Sequence, residues 1–425
     1  MRVRVTDQPP TEKQIRNLLR RGSSSTDQSL IAERLRQSCY LDDNNRKLSP
    51  KQRLIEQYRK DGLVLFLGAG VSKGSGIPSW TELIKRLLPK ADISTNYDNV
   101  NRAFPSLLSQ FDLAAHHLKS PLKFARQLYQ CFYQDLKFKH LLCQIPSYEE
   151  GEATWPKWNE VVTELQQNGT LAAVGELLIV EEQQQLRRNP QIHAILTTNA
   201  DNLVEIYCRA RSAGRSRILT MVDRASVADH PHAISVYHLH GTLDARGENF
   251  VRTDAPCRGI PAKQQQKRAD DILLPNLVFR ESEYYQTIAN PLSFVNHAPQ
   301  SYLQRMNVLF IGTSLDDINI RRWLYNSFRE RVEQRTRYLR EYYCPVYKDV
   351  ECEAELASIR HFWIRTKTEG KWRVPTHLVD ESARKLGIQM IWCEGEDYLE
   401  VQKCLTDLKK DGVAPNFGGR RATGD

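Results

Sequence analysis

No Cys-x-x-Cys pair occurs anywhere in these 425 residues. The nine cysteines are an odd number and lie scattered, at Cys39, Cys131, Cys143, Cys208, Cys257, Cys344, Cys352, Cys393 and Cys404. That pattern excludes a zinc ribbon of paired Cys-x-x-Cys knuckles, and no metal is expected. The cysteines read instead as small hydrophobes in a reducing compartment. Also missing is any run of about 18 apolar residues, so no membrane span is expected. The segment Met1-Arg-Val-Arg-Val lacks the apolar core of a secretory signal, which makes a cytoplasmic location the expectation. Acid is the minority charge: 51 Asp and Glu stand against 60 Lys and Arg, for a net charge of +9. The surplus is local, because residues 1–60 hold 14 Lys/Arg and 7 Asp/Glu. Such a segment is either a solvated basic extension or a contact arm for nucleic acid or an acidic partner. The bases are interleaved with acids instead of forming one dense run, which favours protein docking over nucleic acid.

Hydrophobic residues at 40% and charged residues at 26% are the balance of a globular chain with a sizeable core. Three segments are expected: a basic, partly helical extension over 1–52, one large domain over 53–411, and a glycine-rich tail over 412–425. Gln52 to Lys60 reads as a helix leading into the first strand. Between Trp80 and about residue 190 apolar residues recur at helical spacing, as in Leu83, Ile84, Leu87 and Leu88 after the cap-like Ser79. A helical insertion over about 95–190 is therefore expected, placed to cover a cleft. From Gln191 the period changes. Apolar runs at 192–198, 233–239, 307–312 and 388–392 alternate with polar or helical stretches. This pattern predicts an α/β fold with a Rossmann-like, doubly wound parallel sheet. A polar loop over 244–272 and a further strand at Tyr342–Val346 complete the expected layout.

Chemistry concentrates where these runs end. Leu63-Val-Leu-Phe-Leu-Gly68-Ala-Gly70-Val-Ser72 is a buried strand meeting a glycine turn, a pattern suited to delivering phosphates to backbone amides. Gly76-Ile-Pro78-Ser-Trp80 follows directly. Ile195-Leu-Thr-Thr198-Asn199-Ala-Asp201 is a second strand ending in amide and carboxylate side chains. Val236-Tyr-His238-Leu-His240-Gly241 ends in His-Gly, and Val308-Leu-Phe-Ile-Gly312-Thr-Ser314-Leu315-Asp-Asp317 meets a turn of small residues. The Asn199 amide can hold a water or a ribose hydroxyl, or it can cap the turn. Asp201 can accept from a carboxamide or hold the loop. His240 titrates near neutrality and can take a proton. His238, on the same side of the strand, reads as structural, with a base role as its alternative. Ser72 and the amides of Gly68 and Gly70 can reach a phosphate. Asp317 and Asn319 can cap the following helix or touch a ribose.

Taken in this order, these motifs resemble those of the sirtuin family over roughly residues 60–325. The resemblance implies NAD binding, with His240 as the catalytic base and Asn199 as its catalytic partner. It places Gly68, Ala69, Gly70, Ser72, Pro78, Asp201, Gly312, Thr313, Ser314 and Asp317 against the dinucleotide, the Gly-Thr-Ser turn at the adenosine half. Two departures bear on substrate. The zinc ribbon of protein-deacylating sirtuins is missing, and Ser79-Trp80 stands where their Asp-Phe-Arg follows Gly-Ile-Pro. The pattern is similar to zinc-free sirtuin-like effectors of bacterial anti-phage systems, which hydrolyse NAD to nicotinamide and ADP-ribose. Such effectors imply an oligomer working beside a partner, for example a HerA-family hexameric ATPase. An NAD-dependent deacylase or ADP-ribosyltransferase is one alternative. A non-catalytic subunit that senses NAD or ADP-ribose is another.

Overall fold

The computed structural model describes residues 48–93, 96–142, 157–185, 191–213, 216, 218–221, 233–245, 277–343, 350–367, 375–394 and 399–412. The basic extension up to residue 47, most of the loop expected over 244–272 and the tail beyond 412 lie outside the described residues. The first part of the chain runs α1 (Pro50–Lys60), β1 (Leu63–Leu67), two 3-10 turns (Ala69–Val71 and Lys73–Ser75) and α2 (Trp80–Lys90). Next come α3 (Tyr97–Ala103), α4 (Leu107–Leu118), α5 (Pro121–Phe132), α6 (Lys139–Leu142), α7 (Trp158–Gln166) and α8 (Gly169–Gln185). The middle holds β2 (Ile192–Thr197), α9 (Leu203–Arg211), β3 (Leu219–Met221), β4 (Ser235–His238), α10 (Glu281–Ala289), α11 (Phe294–Arg305) and β5 (Val308–Ile311). The last part is α12 (Ile318–Tyr343), α13 (Val350–Ala357), β6 (His361–Thr366), α14 (Thr376–Arg384), β7 (Ile388–Cys393) and α15 (Leu399–Gly412).

The strands form one seven-stranded sheet in the order β3-β4-β2-β1-β5-β6-β7, every neighbouring pair parallel. This is an α/β, doubly wound, Rossmann-like arrangement. β1 is buried at all five positions because helices cover both faces of the sheet. Leu63, Leu65 and Leu67 point to one core with Ile195, Leu309 and Ile311. Val64 and Phe66 point to the other, where Phe66 stacks on Phe310 at 5.0 Å beneath Trp323 and Leu324 of α12. The register sets Leu67 beside Thr197 on one side and Ile311 on the other, so the turns leaving β1, β2 and β5 emerge together. The order reverses between β1 and β5, the point at which open parallel sheets bind ligands.

Helices delimit this frame through ordinary caps. Ser49 and Gln52 form a capping box that starts α1 at Pro50, two residues ahead of the expected start. Ser79 and Glu82 do the same for α2, whose Leu83, Ile84, Leu87 and Leu88 are buried. The helices between 97 and 185 divide in two. Leu107 and Leu108 of α4 and Phe132 of α5 face the cleft described below. α8 instead packs against α9 and α15 as the crossover that parallel β1 and β2 require. The strand expected at Tyr342–Val346 is corrected at its start, since Tyr342 and Tyr343 close the 26-residue helix α12; residues 344–346 lie outside the described residues. Among the described residues no helix is long and apolar enough to cross a membrane.

Candidate functional site

The turns that follow β1, β2, β4 and β5 enclose one cleft of about 760 Å³, within the range of about 300–1,000 Å³ usual for small-molecule sites. Gly68, Ala69, Gly70, Pro78, Asn199, Asp201, His240, Gly312, Thr313, Ser314 and Asp317 all line it, and Ser72 does not. The hydroxyl of Ser72 is fully buried and donates to Asp201 Oδ1 at 2.8 Å, which holds the β1 turn against the end of β2. The amides of Gly68 and Gly70 are committed as well. They donate to the carbonyls of Ile311 at 2.9 Å and Gly312 at 2.7 Å. Among the described residues the Ala69 amide, between them, takes no such partner, so it is the amide this turn leaves for an anion.

The glycines serve first to let two turns touch. A Cβ on Gly70 would lie 2.8 Å from Gly312 Cα, and one on Gly312 would lie 2.6 Å from the Val71 nitrogen. Gly312 also has φ +67°, in the left-handed region. Leu315, in the same turn, adopts φ +57°, a conformation that costs a side-chain-bearing residue about 1–2 kcal/mol. The Thr313 hydroxyl accepts from its amide at 3.2 Å and holds it there.

The β2 end is fixed by its own side chains. Thr197 Oγ1 donates to the Leu67 carbonyl at 2.9 Å and accepts from the Asn199 amide at 3.0 Å. Asn199 Nδ2 donates to the Gly68 carbonyl at 3.0 Å and to Ser72 Oγ at 3.4 Å. With both N–H groups spent, the side-chain oxygen is the polar atom that Asn199 can offer a ligand. Asp201 accepts from Ser72 and from the Leu203 amide at 3.2 Å. Burial outweighs those two bonds and pushes its pKa up to about 6.

Two histidines two residues apart meet opposite surroundings. His238 Nδ1 donates to the Asn199 carbonyl at 3.0 Å, and Nε2 lies 2.6 Å from Glu205 Oε1. Burial disfavours its charge, yet Glu205 and the hydrogen bonds together hold its pKa above the ordinary value. His240 is 1% exposed, and among the described residues neither ring nitrogen has a hydrogen-bond partner. Burial lowers its pKa, opposed by Asp317, whose Oδ2 lies 3.6 Å from Nε2. Asp317 does cap a helix: Oδ1 accepts from the Asn319 and Ile320 amides at 2.7 and 3.3 Å.

Sequence reading missed the aromatic wall beside His240. Trp80 lies 4.9 Å from Phe279 and 6.4 Å from the His240 ring, and Tyr284 lies 5.4 Å from that ring on the α10 side. Trp80 carried a signal, since it stands in the Gly-Ile-Pro motif. Phe279 and Tyr284 carried none, being aromatics with no motif around them. Arg365, at the end of β6, also lines the cleft and stacks over Trp363 at 5.0 Å. Among the described residues no cluster of three or more His, Cys, Asp or Glu could hold a metal ion. Cys131, Cys208, Cys393 and Cys404 are buried and in no disulfide among the described residues.

The family profile of the SIR2-like domain matches residues 193–364. The match runs from β2 to β6 and includes Asn199, Asp201, His240, Gly312 and Asp317; the β1 glycine turn precedes it. SIR2-like domains bind NAD and are commonly NAD-dependent enzymes. No curated protein matches the chain.

Proposed function

We propose that the protein is an NAD glycohydrolase, cleaving NAD with water to nicotinamide and ADP-ribose. One observation carries the reading. A buried His240 with two unpartnered ring nitrogens and an Asn199 with an uncommitted side-chain oxygen stand at neighbouring strand ends, beside glycine turns, in one cleft.

Nicotinamide leaves a pyridinium as a neutral base, so its departure needs no acid. The barrier lies in an oxocarbenium-like ribosyl centre, which calls for positioning and exclusion of bulk water. Water oxygen bonds to the ribosyl carbon as the C–N bond breaks, and that electron pair returns to the pyridine nitrogen. His240, kept neutral by burial, takes one proton from the water and later passes it to solvent. The Asn199 oxygen orients the water or a ribose hydroxyl. Asp201 accepts from the carboxamide, and the free Ala69 amide faces the pyrophosphate. Trp80, Phe279 and Tyr284 keep the surroundings of His240 apolar, which strengthens each of these polar contacts.

Purified full-length protein incubated with NAD should release nicotinamide and free ADP-ribose in equal amounts by chromatography. His240→Ala and Asn199→Ala should each cut turnover by about 100-fold or more with an unchanged circular-dichroism spectrum. Acylated ADP-ribose formed from an acyl-peptide, or tight NAD binding without turnover, would replace hydrolysis by deacylation or sensing.

We carry the reading one level up, to an oligomeric anti-phage effector that depletes NAD beside a partner such as a HerA-family ATPase. Its support is in the sequence, which lacks the zinc ribbon and the Asp-Phe-Arg of the deacylating sirtuins. Co-purification with the candidate ATPase, together with phage plating of the His240→Ala variant, tests it.

A further inference from the structure

We propose that Asp317 and Tyr284 form a relay with His240, in which Asp317 is a positioning residue that orients the imidazole and stabilises it once protonated. This rests on His240 being the base in the preceding reading.

The geometry divides the Asp317 carboxylate into two halves with different tasks. Oδ1 is anchored by the Asn319 and Ile320 amides at the start of α12. Oδ2 accepts from the Tyr284 hydroxyl at 2.5 Å and faces His240 Nε2 at 3.6 Å. The carboxylate is thus held from two elements, α12 and α10, before any ligand arrives. It also sits at the end of a long helix where the backbone dipole favours negative charge.

Among the described residues Asp317 is the charge that acts on the titration of His240, and Trp80 of α2 and Tyr284 of α10 present uncharged rings. Arg322 of α12 faces Asp317 while hydrogen-bonding Asn296 and Asn319. Burial and the carboxylate keep the Tyr284 hydroxyl protonated, so it remains a donor to Oδ2.

A proton on Nε2 directed at Asp317 leaves the Nδ1 lone pair as the base. At 3.6 Å the Nε2 contact is long for a neutral imidazole. When Nδ1 takes the proton from water, the cation and carboxylate draw together, in surroundings dry enough to make the pairing strong. The proton taken up is the one released from the attacking water, and no oxidant or further reactant enters.

Asp317→Asn tests the relay with little disturbance of the fold, because asparagine still offers an oxygen to the two amides and is itself a good cap. In the full-length protein kcat should fall by about 100-fold or more with KM little changed. The acid limb of the pH profile should move to lower pH, because loss of the carboxylate lowers the proton affinity of His240. Tyr284→Phe frees Oδ2 and should move that limb the other way. Ring-labelled histidine NMR reads the same His240 midpoint without turnover: down in Asp317→Asn and up in Tyr284→Phe. An Asp317→Asn variant with wild-type kcat and an unmoved midpoint overturns the relay even where His240→Ala is inactive. A change confined to KM overturns it as well, making Asp317 a binding residue. Full turnover in a folded His240→Ala variant overturns the base assignment itself, and the relay's catalytic role falls with it.

Discussion

Asp201→Asn should stabilise the protein, and the gain should depend on pH. The carboxyl is 4% exposed and its pKa is raised from 3.8 to about 6, with burial the leading cause. In the unfolded chain it ionises near its ordinary value, so between these limits the native state holds the proton more tightly. Stability therefore falls as pH rises from about 4 to about 6, and the whole cost is present at neutral pH. A gap of about two pH units at 1.36 kcal/mol each corresponds to about 3 kcal/mol. Asparagine removes the charge while keeping an oxygen for Ser72 and for the Leu203 amide. With about 2.1 cal/mol/K of unfolding entropy per residue over the whole chain, the melting temperature should rise by about 3 °C at pH 7.5. Below about pH 4 the two proteins should melt together. Differential scanning calorimetry at both pH values measures this. Equal melting at pH 7.5, or a larger gain in acid than at neutrality, would refute the reasoning, because the carboxylate would then be buried at no cost. NAD turnover should fall in the same variant if Asp201 accepts from the carboxamide.

His238→Ala should cost about 3–5 kcal/mol, the usual effect of leaving one member of a buried pair behind, here Glu205. The native pKa of His238 is raised, so its contribution is fully present below about pH 6.5 and is lost as pH climbs through the native value. The melting deficit should therefore be largest near pH 6 and narrow in alkali, and a deficit that widens with pH would contradict the pairing. Gly312→Ala puts a methyl 2.6 Å from the Val71 nitrogen at a left-handed φ. It should abolish NAD binding in a calorimetric titration and lower the melting temperature; retained affinity would show that the two glycine turns need not touch.

Some of this architecture was legible because the residues obey one rule at a time. β1, β2, β4 and β5 are apolar runs that stop at glycine, amide or histidine, and both the strand and its functional end can be read from that; β7 is legible as a strand alone. β3 is three residues long and gives no period to read. β6 starts with the buried His361 and ends in Arg365-Thr366, so its polar ends hide a strand whose centre is fully covered. Tyr342 and Tyr343 have strand-like composition, yet they continue a helix whose Trp323 and Leu324 are already packed in the core, and tertiary contact overrides propensity there. At the site, sequence placed the glycines but not their hydrogen-bond partners. The committed amides of Gly68 and Gly70, and the hydroxyl of Ser72 turned to Asp201, follow from how the β1 and β5 turns meet. Tyr284 reaches Asp317 from a separate helix, a relation that only the fold creates.

The two histidines at the end of β4 show how environment assigns roles that residue type leaves open. Both are buried. His238 spends one nitrogen on the Asn199 carbonyl and the other on Glu205, which itself accepts from Thr220 at 3.1 Å. Its two N–H groups tie the Asn199 carbonyl to Glu205, so giving up a proton would loosen the residue proposed to orient the nucleophile. His240 has no such ties, and its pKa moves down while that of its neighbour moves up. At neutral pH the histidine with a lone pair to offer is therefore His240, and a carboxylate waits 3.6 Å away for the charge it would acquire. Glu205→Gln, which deprives His238 of its carboxylate, should lower its ring-nitrogen titration midpoint by NMR and weaken the hold on Asn199, while His240 remains the group on which the acid limb of turnover depends.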